Sequence, residues 1–363
     1  MSPRGIRHEI GQLLIAGFPG TTIPVELRAL AREFSLGGII LFARNVEAPE
    51  QVAELAIDAR TLTREIPPWV SVDQEGGRVA RLRRPFTEWP PMRTLGRANS
   101  DDLTRRFARA LAEELAAVGI TLDFAPVLDV LTNRANTAIG DRAFSDDAST
   151  VARLGSIVIE ELQRAGVAAC GKHFPGHGDT QADSHDELPI VEHPPDRLRA
   201  IEFEPFRAAV RADVASLMVA HVLAAAFDET RPASLAPAVV RLIRDELHFD
   251  GVVFTDDLDM GAITRSWTTP DAVVQAIAAG CDGVLICQAS AEVQFASLEA
   301  LVRALEDGRL PYSRVEDALK RHQRMKERFL AAPLASTAPW RARRSIIGRE
   351  AHAAVAAEMA QFL

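Results

Sequence analysis

The chain has 363 residues, 47% hydrophobic and 25% charged, with a formal net charge of −9. Those proportions suit a soluble globular protein with a full core. The acidic balance speaks against nucleic acid as a partner, because phosphate binding needs a basic face.

The N-terminus, MSPRGIRHEIGQLLIAGFPG, breaks its short apolar run at Gly17 and Pro19, too early for a secretory signal. No run approaches the roughly 20 apolar residues of a membrane span, so no membrane association is expected. Cys170, Cys281 and Cys287 lie in hydrophobic surroundings and read as buried free thiols. That fits a reducing compartment, and the expected location is the cytoplasm.

Short apolar runs alternate with stretches of helical period. Strands are expected at 12–17, 37–42, 68–73, 120–124, 168–173, 216–221, 251–256 and 281–287. They read as nearly continuous apolar runs, the pattern of parallel strands buried on both faces. Helices are expected at 101–118, 148–165, 197–212, 236–247 and 270–279. Asp146, Asp147 and Ser149 mark the start of one and Thr269-Pro270 of another, while Gly166 and Gly280 suit C-caps. Eight strand–helix alternations make this an α/β chain with a (β/α)₈ TIM-type barrel, one catalytic domain over 1–331. A doubly wound open sheet is the alternative, since sequence does not show closure. Residues 332–363 read as a Pro/Ala linker and a C-terminal helix, which either packs on the barrel or mediates association.

Ionisable residues gather after strand after strand: Asp73 and Glu75, Asp129, Lys172-His173, His221, and Asp256-Asp257. Barrel active sites are built at those C-terminal ends, and plain loop chemistry favours Ser, Asn and Gly over His and Lys. Only three of the 41 basic residues are lysine. Lys320 and Lys326 fall in the charged helical stretch DALKRHQRMKERF and are expected in solvent. Lys172 instead sits in the densest motif, where a compact ammonium differs from a planar guanidinium.

That motif is KHFPGHGDTQADSH, 172–185. A metal site would draw on His173, His177, Asp179, Asp183 and His185. Against it, Pro175, Gly176 and Gly178 keep the segment irregular, no HExxH spacing occurs, and a lysine beside the first histidine would repel a cation. Acid–base work uses the residues more economically. Asp183 and His185 are two apart in a loop, so the carboxylate can hold one ring nitrogen while the other exchanges a proton near neutrality.

VVFTDDLDMGAI delivers Asp256 and Asp257 rigidly from a strand end, as a nucleophile toward a sugar C1 or as a helix cap; periodicity does not choose. SVDQEGGRVARL contributes Asp73, Arg78 and Arg81, a carboxylate and arginines suited to sugar hydroxyls, with Glu75 as a candidate acid beside a Gly76-Gly77 turn. GDRAF adds Arg142.

Together, VDQEGGRVARL, DFAPVLDV, GDRAF, GKHFPGHGDTQADSH, MVAHV and GVVFTDDLDMGAI resemble family 3 glycoside hydrolases, in their single-domain NagZ-type β-N-acetylglucosaminidase branch. The segments occur in family order, and the resemblance runs from about residue 8 to about 330. It implies a (β/α)₈ barrel and a retaining hydrolase that removes terminal β-linked N-acetylglucosamine. Asp256 would be the nucleophile and His185 the acid/base, assisted by Asp183. Asp73, Arg81, Arg142, Lys172 and His173 would bind the sugar. No metal or organic cofactor is implied. The substrates would be muropeptides of cell-wall recycling or chito-oligosaccharides. A neutral His185 repels an anionic acceptor less than a carboxylate would, so a phosphorylase on the same site is the second reading; a metal-dependent hydrolase is the third.

Overall fold

The structure, a computed structural model, describes residues 3–63, 67–181, 183–184, 187–288, 290–331 and 339–363. Eight of its strands close into a parallel barrel in the order β1-β10-β9-β7-β5-β4-β3-β2. They are β1 (Leu14–Ala16), β2 (Gly38–Leu41), β3 (Trp69–Val72), β4 (Leu122–Asp123), β5 (Ala168–Phe174), β7 (Ser216–Val219), β9 (Val252–Asp257) and β10 (Gly283–Ile286). All eight fall within or overlap the apolar runs expected as strands, and closure removes the open-sheet alternative. Outside the barrel, β6 (Ile190–Val191) and β8 (Leu223–Ala224) pair in parallel beside the mouth loops.

The expected helices recur with one difference. The run 197–212 divides into Pro195–Ala200 and Phe203–Arg211. The start signal of helix Ala148–Arg164 resolves to Asp147, whose side chain accepts the Thr150 amide, and Gly280 closes helix Thr269–Ala279 in the left-handed conformation.

Two packed layers account for the burial pattern. Inside the barrel, Ile15, Ile40, Trp69, Phe124, Cys170, Met218, Phe254 and Leu285 form one apolar column, with Phe124 and Phe254 edge to face at 5.8 Å. Outside it, strand and helix side chains form the larger cluster. All three cysteines are free and buried.

Lys326 corrects the sequence reading. It lies in helix Tyr312–Leu330, but its side chain is buried beneath the barrel, where Nζ donates to Gln12 Oε1 (2.7 Å) and the Gly37 carbonyl (2.8 Å). A charged stretch is a poor guide here because the helix packs along one face and Lys326 occupies it. Burial takes its ammonium well below the ordinary value. The unfolded chain then binds a proton that the folded chain resists, so stability rises with pH between the two values. The thermal midpoint of the native chain should gain on that of Lys326→Met as pH is raised from about 7 to about 10. Parallel curves would remove the ammonium as the cause.

The linker 332–338 lies outside the described residues. Beyond it, helix Trp340–Arg344 packs on helix Pro49–Arg60, and helix Glu350–Ala360 on helices Arg93–Ala98 and Asp101–Ala117. No helix among the described residues is long and apolar enough to cross a membrane.

Candidate active site

The strand-end residues do collect at one mouth, and two strands are irregular where they deliver them. Pairing of β5 with β7 shifts register between Gly171 and Phe174, the stretch that carries Lys172 and His173. Pairing of β10 with β9 shifts between Gly283 and Leu285, opposite Phe254 and Asp257. Local bulges of this kind re-aim side chains that a regular ladder would point elsewhere.

After β3 the chain folds back on its own glutamine. Gln74 Oε1 accepts the amides of Arg81 (2.8 Å) and Leu82 (3.0 Å), and Nε2 donates to the Leu82 carbonyl (2.9 Å). Arg81 is thereby returned to Asp73, with Nη2 3.4 Å from Oδ2, and its guanidinium carbon lies 5.2 Å from the centre of the Phe42 ring. The intervening turn uses Gly76 (φ 109°) and Gly77 (φ 56°), conformations that L side chains rarely adopt.

Lys172 joins this loop to the rest of the site. Its Nζ donates to Asp73 Oδ1 at 2.7 Å and stands 2.6 Å from Glu75 Oε1. Arg142, on the short helical turn Gly140–Arg142, grips Glu75 through two bonds of 2.8 Å each. Burial pushes the Glu75 carboxyl up, but Arg142 and Lys172 outweigh it and hold Glu75 well below the usual carboxylate range. A carboxyl so held has no proton to give, so Glu75 is a counter-ion and not the acid the sequence allowed. Burial likewise opposes the Lys172 charge, and Asp73 and Glu75 keep it protonated.

His173 is oriented by Asp129, with Nδ1 2.7 Å from Oδ2, and its Nε2 lies 3.4 Å from Arg142 Nη2. The other Asp129 oxygen accepts the His177 amide at 2.7 Å. Burial raises the fully enclosed Asp129, yet its contacts with His173 and His177 leave it below its ordinary value. His177 is itself engaged on both sides, by Thr180 Oγ1 (2.7 Å) and Ser184 Oγ (3.1 Å). Asp179 turns away to Thr132 and His193. Asp183 is half-buried on the same loop, and His185 lies outside the described residues.

Asp256 and Asp257 end β9 with opposite character. Half-buried Asp256 accepts the Asp257 amide at 2.8 Å. Burial opposes its charge, but His173, His221, that amide and Lys172 bring its carboxyl down to about 2. Asp257 accepts the amides of Asp259 and Cys287, each at 3.1 Å, and ties β9 to the end of β10. Burial, then Asp259 and Asp256, push it up to about 7. Neither caps a helix: the next one, Gly261–Thr264, follows Met260 without a side-chain cap. His221 completes the wall, bonded to Ser234 Oγ (2.7 Å) and to the Asp257 carbonyl (2.9 Å). A carbonyl only accepts, so Nε2 carries hydrogen; burial pulls the ring below its ordinary value, and Asp256 opposes that pull.

The mouth thus holds one ionised carboxylate on a rigid strand, facing a set of charge-paired donors and acceptors suited to hydroxyl groups. On this barrel, that arrangement suits a glycosidase. The chain belongs to glycosyl hydrolase family 3, whose N-terminal-domain model matches residues 5–325. The β-hexosaminidase of Pseudomonas aeruginosa (strain LESB58) is 38% identical over 323 residues, spanning 88% of this chain and 96% of its own. A β-N-acetylglucosaminidase from Paenibacillus sp. str. FPU-7 superposes with a TM-score of 0.92 at 38% identity, over 98% of this chain and 68% of that one. NagZ from Neisseria gonorrhoeae, solved with N-trifluoroacetyl-D-glucosamine, superposes with a TM-score of 0.77 at 31% identity, over 96% and 97%. The enzyme is therefore a family 3 glycosidase of the β-hexosaminidase group.

Asp129, His177 and Ser234 are the working residues that sequence reasoning left without partners. Asp129, His173 and His221 carried a signal in their strand-end positions; the pairing of Asp129 with His173 across 44 residues, and Ser234 beside His221, carried none.

Proposed function

We propose that the enzyme is a retaining β-N-acetylglucosaminidase working through a covalent glycosyl-enzyme. The observation that carries this reading is the strand-borne Asp256, held ionised against burial by His173, His221 and Lys172. Its carboxylate attacks the anomeric carbon while His185, oriented by Asp183, protonates the departing glycosidic oxygen. His185 then takes a proton from water, which displaces Asp256 and restores the β configuration. Asp73, Arg81, Arg142, Lys172 and His173 hold the terminal sugar, and the likeness to β-N-acetylglucosaminidases supports N-acetylglucosamine as that sugar. Muropeptides released during peptidoglycan recycling in the cytoplasm are the proposed natural substrates, with chito-oligosaccharides as the other class.

Hydrolysis of an aryl β-N-acetylglucosaminide followed by proton NMR tests this directly. The first-formed sugar should be the β anomer. An α anomer formed first would overturn the covalent route, and sugar 1-phosphate in phosphate buffer would make water the wrong acceptor.

A further inference from the structure

The loop that presents Asp73, Glu75 and Arg81 is not anchored by the barrel alone. Its outer edge, residues 85–89, is gripped by the C-terminal segment through one buried carboxylate. Glu114, on the barrel helix Asp101–Ala117, accepts the Thr87 amide at 2.9 Å and the Thr87 hydroxyl at 2.6 Å. The same carboxylate accepts the Gly348 amide at 3.0 Å and meets His352 Nδ1 at 2.8 Å. Burial opposes the Glu114 charge, and His352 and Thr87 together keep it below its ordinary value.

Contacts on both sides lead back toward the site. Trp89 stacks edge-on against Phe107 at 5.1 Å and lies 6.4 Å from the His352 ring. Its carbonyl accepts the Gly77 amide at 2.8 Å, inside the turn that follows Glu75. Gly348 takes φ 63°, and a Cβ there would stand 2.1 Å from the Pro85 carbonyl oxygen, so only glycine allows this approach. The segment is docked independently at its far end, where Glu358 takes Arg106 through bonds of 2.8 and 2.9 Å.

We infer that residues 339–363 are a positioning element of the active site: through His352 and Glu114 they fix Thr87 and Trp89, and so set the loop that carries Asp73 and Arg81. The inference rests on the proposal that those two residues bind the sugar. His352 acts through Glu114 and Thr87 and touches no substrate.

The test separates loop positioning from plain stability. His352→Ala should raise KM for an aryl β-N-acetylglucosaminide, and Ki for N-acetylglucosamine, by about five-fold, the worth of one lost hydrogen bond, with kcat little changed. Amides of 77–89 should exchange faster in the same variant. Arg106→Ala loosens the segment away from Thr87 and should leave KM within about two-fold of the native value. Thr87→Val removes one Glu114 bond while keeping the tail in place, and it should raise KM alone if His352→Ala does not fold. Native KM in Thr87→Val together with native KM in any folded His352→Ala, or an equal rise in Arg106→Ala, would overturn the inference. Asp73→Ala serves as the reference: if it leaves Ki for N-acetylglucosamine unchanged, the sugar-site assignment fails instead.

Discussion

Asp256→Ala should reduce turnover of an aryl β-N-acetylglucosaminide by roughly 10⁴-fold or more, with the fold intact. The size of the effect follows from the proposed role of Asp256 as nucleophile. A nucleophile forms a bond in the transition state, and nothing else at the β9 end replaces it. Asp257 is next in sequence, but its carboxyl faces the Asp259 and Cys287 amides and is raised to about 7. A chemical signature separates nucleophile from bystander. Alanine leaves space on the face where the carboxylate stood, so azide should restore turnover by attacking there and give the α-glycosyl azide. A β-azide, or near-native turnover without azide, would place the nucleophile elsewhere.

The same residue constrains the pH profile. The Asp256 carboxyl, down at about 2, contributes stability above its unfolded value that is lost only as pH falls through about 2. Over the working range Asp256 therefore does not titrate. Any limb of kcat/KM between about pH 4 and about pH 8 should belong to other groups, and it should persist unchanged in position in variants that slow the chemical step without touching protonation.

How far the sequence led depends on what kind of fact was sought. Barrel strands were legible because burial on both faces forces runs such as GGIILF and the GVVF that opens GVVFTD to be apolar. The ionisable strand ends were legible because those runs stop at charged residues. Partnerships were not. Lys172 meets Asp73 across 99 residues and Arg142 meets Glu75 across 67, separations bridged only when β3, β4 and β5 assemble side by side. Glu75 therefore looked like a free carboxyl with a proton to offer, and Lys326 looked solvated. Both readings failed for one reason: the partner or the cover lies on a different strand or helix, and local composition carries no trace of it. The tail was legible as a helix but not as a contact, since Glu114 and Gly348 are 234 residues apart.

Glu75→Gln is expected to cost about 3–5 kcal/mol of stability, the usual price of stranding a buried charge. Glu75 is almost fully enclosed and answers two cations, Arg142 through both oxygens and Lys172 at 2.6 Å. A glutamine keeps the shape but leaves one positive charge uncompensated, and its amide must turn a donor toward Arg142 or Lys172. Lys172 then leans on Asp73 alone, which takes Asp73 out of reach of a sugar hydroxyl. The urea midpoint should therefore fall while Ki for N-acetylglucosamine rises. Glu75→Asp, which keeps the charge and shortens the reach, should recover part of both. If Glu75 were instead a proton donor, Glu75→Gln would unfold at the native urea concentration and bind the sugar normally, and only kcat for poor leaving groups would suffer. The two outcomes differ in every observable, because a counter-ion acts on the ground state of the whole cluster and an acid acts only on the bond being broken.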